Sequence, residues 1–160
     1  MEKILEKIEN YQFMNYLLPG IIFVSIYTRI VNISFFNINV IVGLVEYYFI
    51  GLVLSRIGST IITSLLKKFN IIKNKNYEDY IESSKKDEKI DILQKEGNQY
   101  RTYAAMFLCL CFQQFYFLIF REEFYDIKLL ITFACLFILF IMSYRKQSIF
   151  IAKRVEKANL

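Results

Sequence analysis

Glu46 and Arg56 are the residues whose type and position could do chemistry. Both lie in VGLVEYYFIGLVLSRIGSTIIT (42–63), a run apolar enough to cross a bilayer, and they carry opposite charges into it. Ten residues of helix rise about 15 Å, so the two do not pair along one helix. On a helical wheel Glu46, Thr60, Arg56 and Thr63 share an arc about 100° wide, and Phe49 and Val53 fall within it. A central Arg or Asp facing lipid costs about 2.5 to 3.5 kcal/mol on insertion scales, so water or protein must cover this stripe. Such a stripe supports ion passage, with rings of Phe49 and Val53 acting as a dewetting gate. It would equally serve a transporter that couples protons or cations through Glu46. Gln113 and Gln114, another copy of the chain or a water-filled cavity are the partners available to the two charges, and Arg56 has the further option of reaching the headgroups.

The same segment carries a second stripe. Gly43, Gly51, Ser55 and Gly58 lie on another side of the wheel, and three of the five glycines in the chain are here. Small residues let helices approach closely, which drives association where lipid is as apolar as leucine.

Other chemistry is missing. The chain has no histidine, the commonest general base. No nucleophile elbow, zinc-protease helix, phosphate loop or dinucleotide fingerprint occurs. Cys109, Cys111 and Cys135 all fall in apolar runs and read as small packing residues. The expectation is a non-enzyme without cofactor or metal.

The elements that must position the stripe follow from composition. Of 160 residues 56% are hydrophobic and 18% aromatic, more than in ordinary soluble domains. A spanning helix needs about 20 mostly apolar residues. Four runs qualify, at 13–31, 40–66, 103–120 and 127–144, and bilayer physics makes each a helix. The fold class is therefore all-α: a single membrane domain over 1–160 with four transmembrane helices. Pro19-Gly20 is expected to kink the first. Ile4, Leu5 and Ile8 have helical spacing, which suits a surface segment before it, and no cleavage site follows MEKILEKIENYQ. The fourth run has no charge beyond Lys128 and is the best candidate for facing lipid; its pattern continues helically past Tyr144.

Positive charge orients the bundle. Sixteen Lys and Arg lie before the first run, in the 67–101 loop and after the fourth; Arg29, Arg121 and Lys128 alone lie on the other side. This places both termini and the central loop in the cytoplasm, and the expected location is a bacterial inner membrane. The outer loops, near 32–39 and 121–128, leave no room for an outer domain.

The 67–101 loop is the one sizeable polar region. Asn76 is placed to cap a helix from Tyr77, a second short helix fits about 87–95, and Gly97 reads as its stop. The expectation is a cytoplasmic helical hairpin that binds a signal ligand or partner protein. Its basic charge suits anionic headgroups; Tyr77, Tyr80 and Tyr100 make nucleotide stacking the sharper alternative.

GLVLSRIGS (51–59), YEDYIESSKKDEKIDIL (77–93) and NQYRTYAAM (98–106), in this layout, resemble small four-helix membrane effectors of bacterial antiphage defence, of the Hailong and Kiwa kinds. The resemblance implies a homo-oligomeric inner-membrane channel or depolarising pore, held closed until a cytoplasmic signal arrives; a tetramer is the working subunit count. No TVGYG-like filter is present, so potassium-type selectivity is not expected. The alternatives are the small coupled transporter and a non-conducting scaffold that recruits a partner through 67–101.

Overall fold

A computed structural model describes residues 11–32, 40–72 and 77–158. The amphipathic Ile4, Leu5 and Ile8, most of the first outer loop and the Asn76 cap lie outside the described residues. Among the described residues the chain is helical without strands, and four helices are long and apolar enough to cross a membrane. We number five: α1 (Phe13–Val31), α2 (Val40–Ile57, Gly58–Ile62 and Thr63–Lys68 in series), α3 (Tyr77–Lys86), α4 (Lys89–Phe120) and α5 (Ile127–Ala158).

Pro19 shapes α1 without breaking it. A proline cannot donate to the carbonyl four residues back and its ring crowds that group, here Asn15. The chain answers with a π turn over Phe13–Leu17 and then runs as α-helix from Leu18 to Val31. Such local widening is how membrane helices accommodate proline. Asn32, at φ 52°, ends the helix in the left-handed conformation.

α4 differs from expectation. No separate helix spans 87–95: one helix of 32 residues runs from Lys89 to Phe120, straight through Gly97. Gly97 is buried, and a Cβ there would meet Tyr144 and Gln147 of α5 at ordinary contact distance. Packing against α5, with Ile90 fully buried below it, outweighs the roughly 1 kcal/mol that glycine costs a helix. α5 also has 32 residues, and like α4 it is about 48 Å long. The hydrocarbon core is about 30 Å, so both project beyond it as packed rods.

α4 is the central element. Leu54, Met106, Phe107, Leu110, Cys111 and Phe133 form the main core, and Phe140 of α5 stacks on Phe107 at 5.7 Å and on Tyr103 at 5.2 Å. Ala104 and Ala105 let the end of α2 close on α4 through Ile62 and Leu66. α5 pairs along α4, yet little of its apolar stretch is buried, so that face is left for lipid or another chain.

Heights within a bilayer follow from α5. Asp126 and Arg145 bracket its apolar stretch about 28 Å apart, close to the hydrocarbon thickness. The Thr63 and Tyr144 hydroxyls lie 3.5 Å apart, which sets α2 against this scale.

Candidate functional site

The small-residue stripe of α2 is its packing face. Gly51 meets Gly20 of α1 backbone to backbone: a Cβ on Gly51 would strike the Tyr16 carbonyl, and one on Gly20 the Tyr47 carbonyl. Gly58 faces α4, where an added Cβ would sit 3.0 Å from the Arg101 carbonyl oxygen. Ser55 is buried too. Gly43 is buried, but a Cβ there would touch only the Tyr47 ring of its own helix, at 3.8 Å.

The polar stripe turns the other way. Phe49 is 64% exposed and Val53 43%; Arg56 and Thr60 are exposed and Glu46 partly so. Neither the Glu46 carboxylate nor the Arg56 guanidinium forms a hydrogen bond or ion pair among the described residues. Gln113 and Gln114 do not serve them. The Gln114 side-chain oxygen accepts the Asp126 backbone N–H at 3.1 Å, and the amide of Gln113 is buried with no bonding partner among the described residues.

Thr63 leaves the stripe. Residues 58–62 form a π turn, and one extra residue in a turn sets back every later position by about 100°. Thr63 therefore swings from the polar arc to the packing side. It is half-buried, its hydroxyl donates to the Gly58 carbonyl five residues back, and it meets Tyr144. Thr60, inside the π turn, stays exposed and donates to the Arg56 carbonyl at 2.7 Å.

The two charges sit at unequal depth. Arg56 precedes Thr63 by seven positions, which puts it roughly 10 Å inside the boundary marked by Tyr144. Its Cα–Cβ bond tilts toward the helix N-terminus, away from the Lys67–Lys68 headgroup level. Glu46 lies about 15 Å further on, within about 5 Å of the far boundary. On this scale Arg56 would be the costly group, and Glu46 would come near the headgroups.

At the polar end of the bundle, side chains tie the helices together. Asn15 of α1, 1% exposed, takes a hydrogen bond from Thr102 of α4 at 3.1 Å. Asn98 donates to the Tyr11 hydroxyl at 3.2 Å. Burial raises the Tyr11 phenol above its usual range. Gln147 of α5 donates to Glu96 at 2.6 Å. α3 is clasped to the end of α5: Arg154 donates to Asp87 at 2.6 Å, and Ser83 reaches the Val155 carbonyl at 3.4 Å. The Arg154 hydrogen bond holds the Asp87 carboxyl below its ordinary value, and Lys86 does the same for Glu82. Asn15 was readable as a lone polar residue in an apolar run; its partner Thr102, 87 positions away, was not.

A cleft of about 640 Å³ opens at this end, and Tyr11, Glu88, Asp91, Lys95 and Glu96 are among its walls. Three acids against one lysine do not attract a nucleotide. The tyrosines offered for base stacking are otherwise engaged: the Tyr80 hydroxyl donates to Asp91 at 3.0 Å and the Tyr100 ring tilts against Phe140 at 6.4 Å. The Tyr77 side chain lies outside the described residues.

No protein-family model, curated protein or solved structure matches the chain.

Proposed function

We propose that this chain is the subunit of a homo-oligomeric membrane channel, in which α2 lines part of the path through Glu46, Phe49, Val53, Arg56 and Thr60. One observation carries the reading: Arg56 lies on the outward face of α2 with no partner among the described residues, and a boundary drawn at Tyr144 would put it roughly 10 Å inside the membrane. Left against lipid, it costs up to about 3 kcal/mol per chain. Sister copies around a central aqueous axis would remove that cost in every subunit at once, and closed symmetry is the usual form of such assemblies. Phe49 and Val53, exposed between the two charges, supply the apolar constriction that closes a pore by dewetting.

In this proposal the cytoplasmic signal acts on the polar end. α4 and α5 run unbroken from there through the bundle, so displacement of 89–100 or of the α3 clasp reaches the segment packed on α2. The resemblance of the layout to small antiphage effectors suggests depolarisation of the bacterial inner membrane as the outcome, with both termini on the cytoplasmic side. A transporter coupled through Glu46 is the weaker reading, because coupling sites lie near the midplane and Glu46 lies near the far boundary.

Ion flux into proteoliposomes tests the proposal. Reconstituted chain should conduct, and Arg56→Ala and Phe49→Ala should each change the flux or its gating. Flux indifferent to both, or a strict monomer in detergent and in bilayers, would remove the shared pore.

A further inference from the structure

We propose that the groove between α2, α4 and α5 is a binding site for an anionic phospholipid, with one acyl chain in the groove and the phosphate held by Lys68 and Arg145. The groove has a volume of about 350 Å³ and a wholly apolar lining, which includes Ile61 and Leu65 of α2, Leu108 and Phe112 of α4, and Ile138 and Ile141 of α5. That volume falls in the range of ligand clefts, about 300 to 1,000 Å³. It lies on the membrane side of the Tyr144 level, where an acyl chain is the apolar molecule at hand.

The lining faces continue into cations. Lys68 follows Leu65 by three positions in the last α segment of α2, and Arg145 follows Ile141 by four in α5. Residues three and four apart share a helix face, so each cation stands one turn beyond the groove on the face that lines it. Both are exposed, and neither forms an ion pair or hydrogen bond among the described residues. Lys146, by contrast, is turned over the Phe150 ring at 5.7 Å. An apolar slot ending in two free cations at headgroup level is the arrangement that selects anionic over zwitterionic lipid. A second copy docking through the same face would set Lys68 and Arg145 against their own counterparts, a like-charge contact that argues against that occupant. The site is independent of whether the chain conducts.

The chain has no tryptophan, so Phe112→Trp gives a single reporter in the groove. The full-length variant is reconstituted in vesicles in which acyl-brominated phosphatidylglycerol or acyl-brominated phosphatidylcholine replaces unlabelled lipid stepwise. The expected result is half-maximal quenching at about thirtyfold lower mole fraction for the anionic lipid, as two cations near the surface, at about 1 kcal/mol each, imply. Lys68→Gln with Arg145→Gln should abolish this preference, while Lys153→Gln with Lys157→Gln, further along α5, should keep it. Equal quenching by both lipids, a preference that survives the first pair or is lost with the second, or no quenching by either lipid (a groove filled by protein) would each overturn the proposal. Monodisperse elution and helical circular dichroism of each variant confirm that the comparison is between folded proteins.

Discussion

Arg56 and the glycines of α2 show how much one position can decide. Gly20 and Gly51 have no room for a methyl group, because the obstacle in each case is a backbone carbonyl that cannot rotate away. Gly20→Ala or Gly51→Ala should destabilise the bundle by about 1 to 3 kcal/mol as overpacking. Gly43→Ala, with only a ring of its own helix nearby, should fall within about 0.5 kcal/mol of neutral. Steric-trap unfolding in micelles would rank the three, and equal costs would contradict the packing described. Thr102→Val leaves the buried Asn15 amide short of a bond and should cost about 1 to 3 kcal/mol in the same assay. At this scale the sequence was informative about α2: a wheel separates Gly51, Ser55 and Gly58 from Glu46, Phe49, Val53 and Arg56, and the structure buries the first set and exposes most of the second. Thr63 went astray because a π turn leaves no mark in residue type. The depths of Glu46 and Arg56 needed the Thr63–Tyr144 contact, which joins positions 81 apart.

Helices were legible wherever lipid alone dictates them. The apolar runs at 13–31, 40–66, 103–120 and 127–144 fall within α1, α2, α4 and α5, give or take a residue at an end, because a backbone in hydrocarbon must bond to itself. The polar end was harder. Gly97 reads as a stop when only local preference is weighed, yet contacts with Tyr144 and Gln147 carry α4 through it. The junction of α3 with α5 rests on Asp87 and Arg154, and it should respond to pH with a definite sign. The Asp87 carboxyl is held below its ordinary value in the folded state, so its contribution is present above the unfolded value, about 4, and fades as pH falls through the lower folded one. Hydrogen exchange of 77–86 should therefore quicken, relative to the intrinsic rate, on going from about pH 5 to pH 3. Asp87→Asn should show quickened exchange at both pH values and lose most of the pH response, leaving the small part due to the exposed Glu82–Lys86 pair. A clasp that ignores both changes would mean that Ser83 and Ile90 hold α3 without the ion pair.

The whole molecule sets a further condition on the proposed pore. In the orientation proposed, the bias of Lys and Arg toward one end would make every copy insert the same way round. In a parallel ring each Arg56 lies level with the others, so no Glu46 comes near to neutralise it, and rings of cations favour anions. The expected measurement is a reversal potential displaced toward chloride under a salt gradient, moving toward the cation potential in Arg56→Glu. A wild-type pore that prefers cations would place Arg56 outside the conduction path. None of this was available from composition, which supplies the number of spans and the weight of charge at each end but not which faces remain uncovered.

The unbroken course of α4 has one more consequence. A rod held at mid-length by Gly58 and Phe140, with Gly97 packed at ordinary contact distance beside Tyr144 and Gln147, has support on α5 where its glycine would otherwise let it bend. In the proposed channel it would pivot instead, like an oar in its rowlock, and a small sideways shift of residues 89–96 would become an opposite swing of Phe117 and Phe120 at the far end of α4. In the proposed channel a signal at one end would then reach the other without any helix having to melt.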